Sequence, residues 1–268
     1  MFKVNVDEPT IHELFDLTGK TALVTGASGW LGSSFSRALA EAGATVVTAS
    51  RDAARARQVA DTLPTPKSQT HHAVALDQMD GPSIDKGFAD AVKAAGQVDI
   101  LINNGLDACA ADITSVTFED FARHQHNNAG YFILARHLRD HAVQRNAPAN
   151  VVSLGSMYGQ VASYPDAYDP GRASPVAYHA LKGGTIHMTR HMAVYWAKDN
   201  VRVNCISPGP FPSPAAGKDL VTRLATKNPM QRMGKPHELK GALLLLVSEA
   251  GSFITGQNIT IDGGWLAW

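Results

Sequence analysis

Residues 21–32, TALVTGASGWLG, pass from an apolar strand through a glycine-rich turn into a helical pattern. Glycines at positions 26, 29 and 32 carry no side chain that would hold a pyrophosphate away from the backbone. The N-terminus of the helix that follows offers unpaired N–H groups and the positive end of a helix dipole. A glycine triplet is weak evidence alone, but directly after the first strand of a βαβ unit it predicts a dinucleotide site rather than an ordinary tight turn.

Further apolar runs predict six more strands, with helical patterns between them. With the first strand at residues 21–25, they lie at residues 45–48, 73–76, 98–102, 151–154, 201–206 and 259–261. They are nearly continuous in Val, Ile and Leu, as in strands covered on both faces, and their alternation with helices implies right-handed βαβ units. We therefore expect one α/β domain over residues 1–268, a doubly wound seven-stranded parallel sheet flanked by helices, with an N-terminal extension at 1–17.

Composition and charge limit the possible partners. The 268 residues are 44% hydrophobic and 18% charged, and 24 basic residues balance 24 acidic ones. Zero net charge gives no general attraction to nucleic acid or to an anionic membrane. Two cysteines, Cys109 and Cys205, cannot build a disulfide framework, the N-terminus lacks the apolar stretch of a signal peptide, and the run 242–247 is too short to span a bilayer. We expect a cytoplasmic protein with no nucleic-acid or membrane partner.

The end of the second strand bears on the choice of cofactor. In dinucleotide folds an acidic residue near this point binds the adenosine ribose hydroxyls, whereas here Ser50 and Arg51 precede Asp52. A guanidinium pairs with a 2′-phosphate and a small hydroxyl does not repel it, which favours NADP, with NAD possible. The alternative is that Arg51 only begins the solvated face of the next helix and that Asp52 reaches the ribose.

Residues 178–182, YHALK, place Tyr178 and Lys182 one helical turn apart. A nearby ammonium favours the phenolate and lowers the pKa of a tyrosine, which then exchanges a proton with a carbonyl or an alcohol. This spacing is common by chance, and it indicates a catalytic pair only together with other residues of the predicted site. Ser156 ends a predicted buried strand at the sheet edge where ligands bind, and Asn127 lies in a polar, glycine-containing part of a long helical stretch.

In this order along the chain, the motifs resemble the short-chain dehydrogenase/reductase superfamily. They are TGASGWLG, INN at 102–104, NNAG at 127–130, the strand ending at Ser156, YHALK, SPGPFPSP at 207–214 and ITGQNITIDGGW at 254–265. The resemblance covers essentially the whole chain and implies a Rossmann fold. More narrowly, SMYG, the long loop after it, PGPFP and DGGWLAW are most similar to gluconate 5-dehydrogenase-like members.

The resemblance implies four catalytic roles. Tyr178 is the general acid/base, and Lys182 holds the nicotinamide ribose hydroxyls and lowers the pKa of Tyr178. Ser156 hydrogen-bonds the substrate carbonyl as charge develops on it, and Asn127 shapes the helix and holds a water in a proton relay.

The resemblance also implies the residues that bind the cofactor, with Tyr178 and Lys182 among them. The phosphate turn, the adenosine side and the cover over the nicotinamide comprise Gly26, Ser28, Trp30, Leu31, Ser50, Arg51, Asp77, Gln78, Asn103, Gly105, Pro208, Gly209, Phe211 and Ser213.

The chain departs from the family pattern in the loop before Tyr178. Ser156 and Tyr178 are 178 − 156 = 22 positions apart, where most members have a dozen or so. The extra residues, about 164–173, carry Asp166, Asp169 and Arg172, which suggest recognition of a polar substrate or only face water. The long helical stretches 117–145 and 175–199 resemble those that pair across subunits in the family, which implies a homotetramer.

The main hypothesis is an NADP(H)-dependent oxidoreductase that interconverts a carbonyl and a secondary alcohol on a sugar acid, keto sugar or polyol. One alternative is reduction of a hydrophobic ketone or 3-ketoacyl substrate, which aromatic residues such as Tyr158 and Phe211 would suit. Another is a dinucleotide-sensing protein without catalysis. Histidine pairs at 137/141 and 187/191 have zinc-like spacing but no evident third ligand, so we expect no metal.

Overall fold

The computed structural model describes residues 8–108, 111–169 and 174–267. The N-terminal part of the extension, Cys109 and Arg172 lie outside these ranges. All seven predicted strands are confirmed, with ends within two residues of the expected positions: β1 Thr21–Thr25, β2 Thr45–Ser50, β3 His72–Ala75, β4 Ile100–Asn103, β5 Ala149–Leu154, β6 Val201–Pro208 and β7 Asn258–Ile261.

The strands form one parallel sheet in the order β3-β2-β1-β4-β5-β6-β7, which confirms the doubly wound α/β fold. The chain moves outward from β1 to β3 and then returns to the other side of β1, where Ala22 pairs with Ile100 of β4. At such a reversal the loops after the two strands diverge and leave a crevice at the carboxyl edge of the sheet.

Eight helices connect or flank the strands within the described ranges: α1 Ile11–Phe15, α2 Trp30–Glu41, α3 Ala53–Asp61, α4 Gly81–Ala95, α5 Phe118–Gln144, α6 Val176–Trp196, α7 Lys218–Lys227 and α8 Lys240–Val247. Side chains alternate across a strand, so β1 sends Ala22 and Val24 into one apolar cluster and Leu23 into another. The first cluster contains residues of α2 and α8, and the second contains residues of α4, α5 and α6. Burial on both faces accounts for the continuous apolar runs.

Capping differs among the helices at the carboxyl edge. Side chains of Asp52, Asp80 and Thr117 accept backbone N–H bonds at the starts of α3, α4 and α5. Helix α2 follows Gly29, which makes no such bond. The first N–H groups of α2 are therefore available to a ligand.

Within the described ranges, no helix combines the length and apolar character needed to cross a bilayer. The same ranges contain no group of three or more His, Cys, Asp or Glu side chains arranged to hold a metal ion. His137 bonds Asp85 at 2.7 Å, and Nε2 of His141 accepts the backbone N–H of Val98 at 3.3 Å.

Candidate active site

The turn between β1 and α2 depends on close backbone contacts. Gly26 has a φ of +60°, and a Cβ added there would lie 2.7 Å from the Cα of Gly105. A Cβ on Gly32 would lie 2.1 Å from the carbonyl oxygen of Gly26. Only residues without side chains fit this path, so the turn brings bare backbone to the crevice.

A cavity of about 530 Å³ opens at this turn, between the loops after β1 and β4. This volume is in the range of sites for sizeable organic ligands. Nine of the predicted cofactor residues line it: Gly26, Ser28, Trp30, Leu31, Ser50, Arg51, Asp77, Gln78 and Gly105. Glycine backbone, an uncapped helix start and two arginines at the rim fit a dinucleotide with its adenosine end toward β2.

Two guanidinium groups stand at the adenosine end of this cavity. The side chains of Arg51 and Arg55 are 67% and 73% exposed. Nη1 of Arg51 lies 3.7 Å from Oδ1 of Asp107. Asp52 caps α3, its Oδ1 accepting the N–H of Ala54 at 2.9 Å. Asp52, the acidic residue that could have bound the ribose hydroxyls, thus caps its own helix, while the Arg51 side chain remains exposed to solvent.

Seven of the predicted cofactor residues do not line this cavity: Tyr178 and Lys182, which lie on α6, and five others. Asn103 is fully buried, and its Nδ2 donates to the carbonyl of Tyr131 at 3.0 Å. Its neighbour Asn104 lines the cavity instead and donates to the carbonyl oxygens of Thr25 and Gly26.

The remaining four are absent from the lining of the 530 Å³ cavity: Pro208 ends β6, and Gly209, Phe211 and Ser213 follow it. A Cβ on Gly209 would lie 2.6 Å from the Cα of Asp262, which shows how tightly this loop packs. Phe211 lines a separate cavity of about 260 Å³.

Lys182 is 3% exposed on α6, and its Nζ donates to the carbonyl of Leu154 at 2.5 Å. The ammonium lies 5.6 Å from the ring centroid of Tyr178 and 5.8 Å from that of Tyr131. Burial lowers the pKa of Lys182 from 10.5 to about 8, because the charged form loses hydration. Lys182 therefore carries its charge at neutral pH, at a cost in desolvation.

Ser156 and Tyr178 meet beyond the carboxyl end of β5. The Ser156 hydroxyl accepts the N–H of Tyr158 at 3.1 Å and is buried. Burial raises the pKa of Tyr178, and hydrogen bonding with Ser156 offsets part of the increase. This differs from the expected lowering by Lys182, because desolvation of the phenolate exceeds the other effects. The phenol is therefore protonated at neutral pH.

Asn127 uses all of its hydrogen-bonding positions within the protein. Its Oδ1 accepts from Nε2 of Gln78 and from the N–H of Asp107, each at 2.8 Å. Its Nδ2 donates to the carbonyls of Asp107 at 3.0 Å and His124 at 2.8 Å. The side chain thus joins α5 to the loops after β3 and β4, and no amide position is left for the expected water.

The described part of the long loop contacts α7 and Tyr158. Asp166 pairs with Lys227, and Asp169 pairs with Arg223. These two carboxylates are therefore engaged by α7 rather than directed at a substrate. Tyr168, from the same loop, has its hydroxyl 3.0 Å from that of Tyr158.

Two charged or titratable residues near the site were not anticipated from the sequence. Asp107 follows β4, lines the cavity and pairs with Arg123 at 2.5 Å. His124 is 2% exposed, its ring centroid is 6.3 Å from that of Tyr178, and neither ring nitrogen has a hydrogen-bond partner among the described residues. Helical spacing alone could have flagged His124, one turn before Asn127.

The chain is similar to one protein family and to individual proteins over most of its length. A model described as enoyl-(acyl carrier protein) reductase matches residues 26–266. D-arabinitol 2-dehydrogenase (ribulose-forming) of Scheffersomyces stipitis is 30% identical, covering 95% of this chain and 96% of the relative. The 2-dehydro-3-deoxy-D-gluconate 5-dehydrogenase of Formosa agariphila is 31% identical, covering 95% and 96%.

A crystal structure of a gluconate 5-dehydrogenase from Burkholderia cenocepacia, in complex with NADP and tartrate, superposes with a TM-score of 0.86. The two chains are 25% identical over 96% of this chain and 99% of that one. The resemblance inferred from the motifs, including the narrower one to gluconate 5-dehydrogenases, is confirmed. The family match and these relatives show that the chain belongs to the short-chain dehydrogenase/reductase family and is an oxidoreductase that acts on CH–OH groups.

Proposed function

We propose that the protein interconverts a carbonyl and a secondary alcohol of a polyol, keto sugar or sugar acid, with NADP(H) as its cofactor. The observation that carries this proposal is the assembly of Ser156, Tyr178 and buried Lys182 at the carboxyl edge of the sheet. The relatives named as arabinitol and deoxygluconate dehydrogenases support the substrate class.

The proposed mechanism assigns proton transfer to Tyr178. The nicotinamide, when bound, supplies the hydride in reduction and accepts it in oxidation. The protonated Tyr178 hydroxyl donates to the carbonyl oxygen of the substrate, and the Ser156 hydroxyl donates a hydrogen bond as that oxygen gains negative charge. The Lys182 ammonium, held by Leu154, favours the phenolate that remains.

The pKa of Tyr178 also bears on how the rates of reduction and oxidation depend on pH. Because burial raises it, the proton needed for carbonyl reduction is in place, whereas alcohol oxidation needs the deprotonated form. Oxidation should therefore accelerate as the pH rises above neutral.

Tyr178→Phe tests the catalytic assignment, because it keeps the ring and removes the proton donor. We expect turnover to fall at least 100-fold, a typical loss for a general acid or base, while NADPH binding persists. Turnover is measured on a panel of polyols, keto sugars and sugar acids by following the absorbance of the nicotinamide. Turnover retained in Tyr178→Phe would contradict the assigned acid, and a parent protein inactive on the whole panel would favour a sensing role or a hydrophobic ketone.

The preference for NADP rests on the exposed Arg51 at the adenosine end of the cavity. Arg51→Ala removes a charge-assisted contact to the 2′-phosphate. It should weaken the binding of NADPH by roughly 10- to 100-fold and the binding of NADH much less. Arg57→Ala is the matched control, since Arg57 lies on α3, six positions after Arg51, but does not line the cavity. Equal losses for both cofactors would refute the role of Arg51.

We also propose a homotetramer that pairs through α5 and α6. Phe118, Val194 and Tyr195 on these helices are exposed apolar side chains, suited to a subunit interface. Sedimentation equilibrium tests the proposal, and a monomer of 28.6 kDa at micromolar concentration would exclude it.

A further inference from the structure

The long loop before α6 is fixed to α7 by charged contacts. Nε of Arg223 donates to the carbonyl of Ala167 and its Nη2 to Asp169, both at 2.7 Å. Nζ of Lys227 donates to Asp166 at 2.5 Å. Exposed ion pairs are individually weak, but one guanidinium that holds both a backbone carbonyl and a carboxylate restricts the local chain path.

An aromatic contact fixes the start of the same loop. The ring of Tyr164 meets that of Trp265 edge to face, with centroids 5.4 Å apart, and Trp265 is buried. The ammonium of Lys227 lies 5.3 Å from the centroid of the Tyr164 ring. Residues 164–169 of the loop are thus held between α7 and the C-terminal segment.

This anchoring places Tyr168 against the proposed catalytic residues. Its hydroxyl is 3.0 Å from that of Tyr158, which follows Ser156 by two residues and stacks on His179 at 4.8 Å. The Ser156 hydroxyl accepts the backbone N–H of Tyr158 at 3.1 Å, and His179 directly follows Tyr178 on α6. The paired phenols of Tyr158 and Tyr168 therefore lie beyond β5, next to the segments that carry Ser156 and Tyr178.

The paired hydroxyls of Tyr158 and Tyr168 have a defined hydrogen-bonding capacity. Burial raises the pKa of Tyr158, so this group stays neutral. Each phenol can donate one hydrogen bond and accept others, so a pair that shares one bond retains one donor and free acceptor positions. This capacity matches an alcohol hydroxyl, which both donates and accepts, whereas an aliphatic chain would leave it unused.

We propose that Tyr158 and Tyr168 form a hydroxyl-binding wall that selects substrates with a hydroxyl on a carbon next to the reacting one. Arg223 acts as a positioning residue by holding the loop that carries Tyr168. This inference rests on the proposed function, which it narrows to polyols and their keto sugars with vicinal hydroxyls.

The test compares a pentitol with monodeoxy analogues that lack a hydroxyl next to the oxidised carbon. The measured quantity is the ratio of kcat/KM for the pentitol to that for the best analogue. Tyr168→Phe should lower this ratio about 5- to 10-fold, as expected for one neutral hydrogen bond, mainly through KM for the pentitol. Thr62→Val, which removes an exposed hydroxyl at the end of α3, is the control and should leave the ratio unchanged.

Arg223→Ala supplies a second variant that leaves both phenols in the chain. It should lower the ratio in the same direction, and the double variant Arg223→Ala/Tyr168→Phe should lose no more than Tyr168→Phe alone, because both changes remove the same contact. Additive losses would refute the positioning role of Arg223, and melting curves confirm that each variant is folded.

A ratio in Tyr168→Phe within twofold of the parent value would overturn the hydroxyl-binding wall while leaving the proposed function intact. A parent protein that acts on sugar acids but not on the pentitol, its analogues or the corresponding ketones would overturn the wall alone, and one inactive on all of these would overturn both.

Discussion

Replacing Lys182 with methionine separates what this side chain does for catalysis from what it costs in stability. Methionine is unbranched and of similar length, so it fills the same space without a charge. The parent lysine has a folded-state pKa of about 8 against an ordinary value of 10.5. Between these values the unfolded chain binds a proton that the folded protein does not, so stability rises with pH over this window.

The size of the effect follows from the same two values. The interval from about 8 to 10.5, at about 1.4 kcal/mol per pH unit, corresponds to about 3 kcal/mol. The free energy of unfolding of the parent relative to Lys182→Met should therefore increase by about 3 kcal/mol from pH 7 to pH 10.5. At pH 7 the variant should be at least as stable as the parent, since the loss of the bond to Leu154 offsets only about 1 kcal/mol.

Urea denaturation at a series of pH values, at one protein concentration, measures this difference, and other titrating groups cancel between the two proteins. Lys198→Met is the matched control, because Lys198 is exposed beyond the end of α6. Turnover of Lys182→Met should fall at least 100-fold. Parallel pH profiles for the parent and Lys182→Met would refute the argument that burial depresses the pKa of this lysine.

Three other substitutions test the surrounding structure. Gly32→Ala places a Cβ 2.1 Å from the carbonyl oxygen of Gly26. The affinity for NADPH, measured by fluorescence titration, should therefore fall about tenfold or more, which corresponds to about 1.4 kcal/mol. An affinity equal to that of the parent would contradict this geometry. Asp99→Ala removes a buried carboxylate bonded to Arg145 at 2.8 Å and should cost about 3 kcal/mol in urea denaturation, and a loss below 1 kcal/mol would show that the pair is dispensable. Burial lowers the pKa of His124 below 6.5, so the parent should lose stability as the pH falls through that value while His124→Leu loses less; equal losses would place the imidazole in water.

The sheet could be predicted from the sequence because its determinants are local. Apolar runs covered on both faces and a glycine triplet after the first strand depend on near neighbours, and they place the strands to within two residues. The phosphate turn could be predicted for a similar reason, since the positive φ of Gly26 and the close approach of Gly32 to the Gly26 carbonyl both arise inside one short segment.

Other features depend on contacts between distant segments and could not be derived from spacing. Asp166 and Asp169 stood as candidates for substrate recognition until α7, more than fifty positions later, supplied their partners. Nothing in the sequence INN distinguishes the buried Asn103 from the cavity-lining Asn104. The direction of the pKa change at Tyr178 depends on burial, which local sequence does not report.

The hydrogen bonds of Asn127 have a consequence for ligand affinity. One amide side chain ties Gln78, on one wall of the cavity, to Asp107, on the other, through a helix that itself contacts the sheet. The two walls therefore cannot separate independently, and the cavity exists in nearly its final shape before a ligand arrives. Preorganisation of this kind reduces the entropy lost on binding, so more of the contact energy is expressed as affinity.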